Sequence, residues 1–223
     1  MCKNEDDADL IEETLAESPQ EPRWISDLIG DEFKQWEPGL VAIEAMTGTG
    51  KTIFVLEYLI KWCADIVYTV MPPYRILYLT NRSSLREEIK AIANTVRQGY
   101  MEEVPEIGWT CVIDDFQMVQ IMNYQCLEKI IHMNPKYGER FVKQFRYVVC
   151  DEAQYFVNDA QFNENTIISY RAIMKAKHHA TVIAMTATPE NMFTSWMGKG
   201  LLAKNRYYYL PKKMSHIRKA LIY

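Results

Sequence analysis

Apolar residues along the chain form five short runs, separated by longer stretches in which apolar residues recur at helical spacing. The runs predict β-strands at about 40–44, 75–80, 109–113, 146–150 and 181–185. The stretches between and around them predict helices at about 25–36, 51–63, 84–98, 115–132 and 161–177. Alternating strands and helices indicate an α/β domain with a mostly parallel sheet and helices on both faces. The strands are almost continuously apolar, as expected when both faces of a sheet are covered.

Polar clusters follow four of the predicted strands. They occupy positions 47–52, 80–83, 151–154 and 186–188. Parallel strands bring their carboxyl ends to one edge of the sheet, and ligands of such sheets bind beyond that edge. The clusters are therefore the candidate functional residues.

The first cluster lies in the stretch Ala45–Thr52, between a predicted strand and a predicted helix. Gly48 and Gly50 let the backbone adopt positive φ and approach a phosphate closely. The loop amides and the helix N-terminus favour an anion at one point, Lys51 reaches the β- and γ-phosphates, and the Thr52 hydroxyl suits a Mg²⁺ shell. The predicted phosphate-binding residues are Thr47, Gly48, Thr49, Gly50, Lys51 and Thr52. Ala45 departs from the strict pattern, which has glycine there, and the alternative is a turn that binds no ligand.

The second informative cluster is the acidic pair Asp151–Glu152, directly after an apolar strand and about 100 residues beyond the loop. A nucleotide hydrolase needs one acid to hold Mg²⁺ and another to orient and deprotonate the attacking water. Adjacent residues of an extended chain point in opposite directions and can take separate roles. Acidic pairs are also common on surfaces, which is the alternative here.

Charge and cysteine content limit the class of protein. The chain has 223 residues and a net charge of −4, but residues 1–22 carry eight acids and one lysine. The remaining residues hold 21 acidic and 24 basic side chains, so the overall charge does not argue against a nucleic-acid partner. Five scattered cysteines without a C-x-x-C pair argue against disulfides or a zinc site and fit a cytoplasmic protein. No signal peptide or membrane span is predicted.

Taken in order, these motifs resemble the first RecA-like domain of a superfamily-two helicase of the DEAD/DEAH-like type, a P-loop NTPase. The resemblance covers about residues 24–205. The stretch Ala45–Thr52 resembles motif I, Asp151–Gln154 motif II, and Thr186–Thr188 motif III. Thr80–Arg82 and the following Leu85–Glu87 resemble motif Ia, and Tyr124–Gln125 weakly resembles a further motif on the nucleic-acid side.

The resemblance implies ATP and Mg²⁺ as cofactors and DNA or RNA as the partner. It implies that Lys51 binds the β- and γ-phosphates, that Thr52 and Asp151 hold Mg²⁺, and that Glu152 is the general base. The resemblance also implies that Thr186, Thr188 and Gln154 couple the ATP site to nucleic acid. Its implied nucleic-acid contacts are Arg82, Tyr124 and Gln125. Gln154 stands where the better-known boxes have another residue, so it does not distinguish DNA from RNA.

Two aromatic residues before the first strand have two interpretations. Phe33 and Trp36 lie where relatives often place adenine-recognition residues, but their spacing of three also suits the buried side of a helix. The core interpretation is favoured. The glutamine-centred adenine motif is not recognisable.

Helicases of this kind hydrolyse ATP between two RecA-like domains. We expect an acidic, flexible leader at 1–22, the ATP-binding domain at 23–205, and a linker with the start of a second domain at 206–223. That second RecA-like domain is expected in cis or in trans, and weak ATPase activity is expected without it. The alternatives are another nucleic-acid translocase of the packaging or restriction type, and a non-enzymatic nucleotide-binding interaction module.

Overall fold

A computed structural model describes most of the chain. The described residues are 22–66, 68–70, 72–81, 88, 100–104, 108–113, 116–158 and 164–211. Within them the strands are β1 Gly39–Ala45, β2 Ile76–Leu79, β3 Tyr100–Val104, β4 Gly108–Ile113, β5 Phe116–Met122, β6 Tyr147–Asp151, β7 Thr181–Thr186 and β8 Tyr207–Leu210. The helices are α1 Ile25–Ile29, α2 Lys51–Ile53, α3 Lys61–Asp65, α4 Tyr124–Met133, α5 Pro135–Val142, α6 Tyr155–Asn158, α7 Glu164–Ala176 and α8 Met192–Gly198, with 3-10 turns at Glu32–Gln35 and Lys204–Arg206.

The eight strands form one sheet in the order β3-β4-β5-β2-β6-β7-β1-β8. From β5 to β8 every neighbouring pair is parallel, while β4 runs antiparallel to both β3 and β5. The predicted mostly parallel α/β sheet is confirmed. The motif-bearing strands β2, β6, β7 and β1 are its centre, so their carboxyl ends lie side by side.

Helices cover both faces of this sheet. One face packs α1, the 3-10 turn and the helical run 51–65 against side chains such as Ile43, Tyr78 and Ile183. The other face packs α4, α5, α7 and α8 against side chains such as Leu79, Val148 and Ala184. Both patches are buried, which explains why the strands lack polar alternation.

The helix after the phosphate loop is continuous from Lys51 to Asp65, but its middle segment, Phe54–Ile60, is π-helical. Phe54 and Leu59 are both fully buried, and so are Val55 and Ile60. The residues of each pair are five apart, which is the span of the i→i+5 hydrogen bond of a π-helix rather than of the i→i+4 bond of an α-helix. All four side chains belong to the hydrophobic core on this face of the sheet.

The prediction of a helix over 115–132 is wrong for its first half. Phe116–Met122 is an internal strand, and the helix begins only at Tyr124. The side chain of Asn123 caps it by accepting a hydrogen bond from the Cys126 amide at 2.7 Å. Polar Gln120 fits a buried strand because Thr110 of β4 donates to it at 2.7 Å.

Three smaller differences concern element boundaries. The predicted helix at 25–36 is broken at Gly30, which has φ of 53°. Asn134 ends one helix and caps another, since its side chain accepts from the Tyr137 amide at 3.0 Å. The strand at Tyr100–Val104 was not predicted, and the predicted helix at 84–98 lies outside the described residues except for Glu88.

The edge strand β8 belongs to this sheet. It pairs in parallel with β1, and Tyr208 donates a hydrogen bond to Glu32 at 2.6 Å while accepting one from Trp36 at 3.2 Å. Tyr207 likewise donates to Glu44 of β1. Tyr207–Leu210 is therefore a strand of this sheet rather than the first strand of another domain. The predicted domain boundaries otherwise stay predictions.

Candidate nucleotide site

The phosphate loop leaves the buried end of β1 and leads into the long helix. Gly48 has φ of 82°, and Gly50, at the helix N-cap, has φ of 84°. Both values lie in the left-handed region that favours glycine, as predicted. Ala45 is the final residue of β1 and pairs with Leu210 in extended conformation, so the sheet does not require glycine at that position.

Lys51 folds back over its own loop. Its Nζ donates to the carbonyl oxygens of Ala45 at 2.6 Å and Met46 at 3.1 Å, and the side chain is only 8% exposed. The Thr49 hydroxyl also donates to the Met46 carbonyl, at 2.6 Å. The loop is thus closed by hydrogen bonds among its own residues.

The acidic turn begins at the last residue of β6. Asp151 is 1% exposed, and its carboxylate accepts a hydrogen bond from the Thr80 hydroxyl at 3.2 Å. Glu152 has φ of 53°, which is unusual for a residue other than glycine. The strand β6 ends at Asp151, and this conformation turns the chain at the next residue.

Gln154 links this turn to β7. Its Nε2 donates to the Glu152 carboxylate at 2.9 Å, and its Oε1 accepts from the Thr186 hydroxyl. The Thr186 oxygen in turn accepts from the Thr188 amide at 3.0 Å. A continuous chain of hydrogen bonds therefore joins Glu152 to Thr188, the residues of motifs II and III.

One cavity of about 300 Å³ brings the loop and the turn together. Its lining consists of Thr47, Gly48, Gly50, Lys51, Thr52, Ile53, Glu88, Asp151 and Glu152. Lys51 is the one cation among these residues, facing three carboxylates. Carboxylate and hydroxyl oxygens are the ligands that Mg²⁺ prefers, so the lining suits a divalent cation together with a polyphosphate.

Two of the sequence-predicted nucleic-acid contacts have a defined position. Tyr124 is fully buried, and its hydroxyl donates to the backbone carbonyl of Asp151 at 2.8 Å. Its prediction as a nucleic-acid contact is wrong, because a buried ring beneath the acidic turn does not reach a ligand at the surface. Gln125 is exposed at the start of α4, and Arg82 lies outside the described residues.

Other site residues were not predicted. Trp24 is 43% exposed beside the loop, with its ring 3.5 Å from the position that a Cβ on Gly50 would occupy. The Ile25 amide donates to the Thr49 carbonyl at 3.1 Å, which holds this segment against the loop. Glu88 was also missed. By contrast, Phe33 and Trp36 are 2% and 5% exposed in the core, as favoured from their spacing.

The fold and the motif order now have a counterpart among known proteins. Residues 11–191 match the ResIII family, described as "Type III restriction enzyme, res subunit". This chain belongs to that family. ResIII domains are superfamily-two P-loop domains, so the helicase-like resemblance is confirmed and the chain is a nucleic-acid helicase or translocase motor domain; the non-enzymatic alternative is not favoured.

A solved structure agrees with the fold of this ResIII domain. The N-terminal domain of the DNA packaging ATPase from bacteriophage phi29 superposes with a TM-score of 0.50 at 10% identity, covering 83% of this chain and 96% of that one. The Sulfolobus solfataricus SWI2/SNF2 ATPase core, solved with double-stranded DNA, gives a TM-score of 0.41 at 17% identity, covering 69% of this chain and 29% of that one. No sequence match was found among curated proteins. In the part of the chain that the structure describes, the helices are too short or too polar to cross a membrane.

Proposed function

We propose that this ResIII domain binds ATP with Mg²⁺ and hydrolyses it to drive movement on DNA or RNA. One observation carries the proposal. Lys51 and Thr52 line the same cavity as Asp151 and Glu152, although about 100 residues separate the two pairs. These are the side-chain types that phosphate binding, metal binding and water activation require.

Each residue has a proposed role. Lys51 exchanges the carbonyl oxygens of its own loop for the β- and γ-phosphates, and the loop amides from Thr47 to Thr52 hold the remaining phosphate oxygens. Thr52 and Asp151 hold Mg²⁺, which when bound supplies positive charge to the phosphate oxygens. Glu152 accepts the proton of the attacking water.

The adenine ring is proposed to stack on Trp24. This indole is half-exposed and lies against the phosphate loop, so a nucleotide with its phosphates on the loop brings its base close to it. Stacking of a base on an aromatic side chain is worth about 1–3 kcal/mol. Phe33 and Trp36 are buried and do not compete for this role.

A second RecA-like domain, in cis or in trans, is proposed to complete the site. Lys51 is the single cation among the described residues that line the cavity. Related phosphoryl-transfer sites use an arginine from elsewhere to stabilise the transition state, which raises the rate by about 10³–10⁵. The isolated domain is therefore expected to hydrolyse ATP slowly.

The test is ATP turnover with and without single- and double-stranded DNA and RNA. The longest available form of the protein is compared with the chain 1–223. Stimulation by one nucleic acid, abolished in Lys51→Ala, is the expected result. Absence of both ATP binding and turnover from the longest form would overturn the proposal.

A further inference from the structure

A buried carboxylate lies behind the acidic turn, outside the phosphate cavity. Glu128 of α4 is 5% exposed, and its Oε1 accepts three hydrogen bonds from hydroxyl groups. The donors are Tyr155 at 3.1 Å, Thr166 at 3.1 Å and Ser169 at 3.3 Å. One oxygen atom therefore ties α4 to both α6 and α7.

Two tyrosines connect this carboxylate to the catalytic turn. The Tyr155 ring stacks on the Tyr124 ring with centroids 4.5 Å apart and planes 14° from parallel. The Tyr124 hydroxyl donates to the carbonyl oxygen of Asp151, at 2.8 Å.

The peptide that Tyr124 contacts joins the two proposed catalytic acids. Glu152, which follows it, has the unfavourable φ of 53°, and such a conformation persists only where neighbouring contacts impose it. On the sheet side, the Ala153 amide donates to the Met185 carbonyl at 2.9 Å. On the helix side, Tyr124 holds the Asp151 carbonyl, and the Tyr155 amide donates to the Glu152 carbonyl at 2.9 Å.

We propose that Glu128, acting through Tyr155 and Tyr124, is a positioning residue that holds the turn Asp151–Gln154 in its catalytic conformation. The inference rests on the proposed ATP hydrolysis at this turn. It gives the turn a second support, independent of the link from Gln154 to Thr186. Because the peptide that Tyr124 holds leads directly into Glu152, the proposed base, the main effect is expected on the rate of hydrolysis, with a smaller effect on ATP affinity.

The test uses substitutions that remove one hydroxyl and keep the ring. Tyr124→Phe and Tyr155→Phe are each expected to lower kcat about tenfold while leaving ATP affinity within about twofold, as for loss of one buried hydrogen bond. Glu128→Gln, which retains an acceptor oxygen, is expected to keep more activity than Glu128→Ala. Tyr170→Phe is the matched control, because its hydroxyl accepts from Trp196 at 3.0 Å on the same face of the sheet.

Double variants separate this inference from the proposed function. Added to Glu152→Gln, Tyr124→Phe is expected to lower the rate no further, since the turn no longer carries its base. The inference is overturned if the wild type hydrolyses ATP and either tyrosine variant matches it, or if Tyr170→Phe loses as much as Tyr124→Phe. A wild type that binds and hydrolyses no ATP overturns the proposed function itself.

Discussion

The phosphate loop and the acidic turn lie on the same cavity but are stabilised in opposite ways. Met46, Thr47 and Gly48 of the loop are exposed, and the loop is held mainly by hydrogen bonds among its own residues, with Lys51 and Thr49 donating to the Ala45 and Met46 carbonyls. The turn begins with a buried carboxylate, and side chains from separate elements hold it. These side chains are Thr80, Tyr124 and Thr186, the last acting through Gln154.

This difference indicates that the loop serves phosphate binding and the turn serves hydrolysis. Bonds within the loop can be exchanged for phosphate contacts without disturbing the sheet. The turn is preorganised by neighbours that remain in place, as electrostatic and acid–base catalysis require. Substitutions of Lys51 in the loop and of Glu152 in the turn should therefore separate phosphate binding from hydrolysis.

The largest loss of ATP turnover is expected from a substitution in the turn. Glu152→Gln removes the proposed base but keeps the shape of the side chain and an acceptor oxygen for Gln154. ATP turnover should fall by about 10²–10⁴, the usual contribution of a general base, while ATP affinity stays near that of the wild type. Steady-state phosphate release and equilibrium nucleotide binding measure the two quantities, and an unchanged turnover rate would contradict the role of Glu152.

The next effect is expected in the loop. Lys51→Ala removes a charge-assisted contact to the phosphates, so ATP–Mg²⁺ should bind about 10–100-fold more weakly. Lys61→Ala is a matched control on the same helical run, where the lysine is exposed and pairs with Glu57. Calorimetry or a fluorescent nucleotide measures the affinity, and equal losses in both variants would argue against a specific role of Lys51.

A smaller loss of ATP turnover is expected from breaking the hydrogen bonds that join the turn to β7. Thr186→Val removes the hydroxyl that joins Gln154 to the Thr188 amide, with little change in volume. We expect about a tenfold loss in nucleic-acid-stimulated turnover and a smaller loss in basal turnover. Thr194→Val, at an exposed helix position, is the control. If stimulated and basal rates fall equally, the link supports the turn but does not transmit the signal.

The smallest effect concerns thiol reactivity next to the turn. Burial raises the pKa of Cys150, which precedes Asp151, and of Cys63, and raises that of Cys111 to about 12. The reactive thiolate of these three cysteines is therefore scarce below the raised pKa values, and their labelling should increase only at strongly alkaline pH. At pH 7–8 we expect the partly buried Cys126 to react first among the four described cysteines, as mass spectrometry of labelled peptides can show. Rapid labelling of Cys150 in the folded protein would mean that the turn is not rigid.

The sequence was sufficient to predict the site features that directly follow apolar strands. The loop at Ala45–Thr52 and the pair Asp151–Glu152 follow apolar strands, and a parallel sheet brings such positions to one edge. The strand at Phe116–Met122 was missed because its seven residues have no clear alternation, and its partners in the sheet decide its conformation.

The missed site residues depend on tertiary contacts. Trp24 reaches the phosphate loop because the first residue of α1, Ile25, donates a hydrogen bond to the Thr49 carbonyl. Tyr124 matched a nucleic-acid motif in sequence, but α4 turns it beneath the acidic turn, where its hydroxyl finds a backbone carbonyl. Neither Trp24 nor Tyr124 lies at a distance along the sequence, from the loop or from the turn, that predicts these contacts.

The most direct measurement is ATP–Mg²⁺ binding and single-turnover hydrolysis by the wild type, Lys51→Ala and Glu152→Gln under the same conditions, with nucleic acid present. The account predicts that Lys51→Ala loses binding, whereas Glu152→Gln binds as the wild type does and fails to hydrolyse. Retained binding in Lys51→Ala, or loss of binding rather than hydrolysis in Glu152→Gln, would contradict the division between loop and turn.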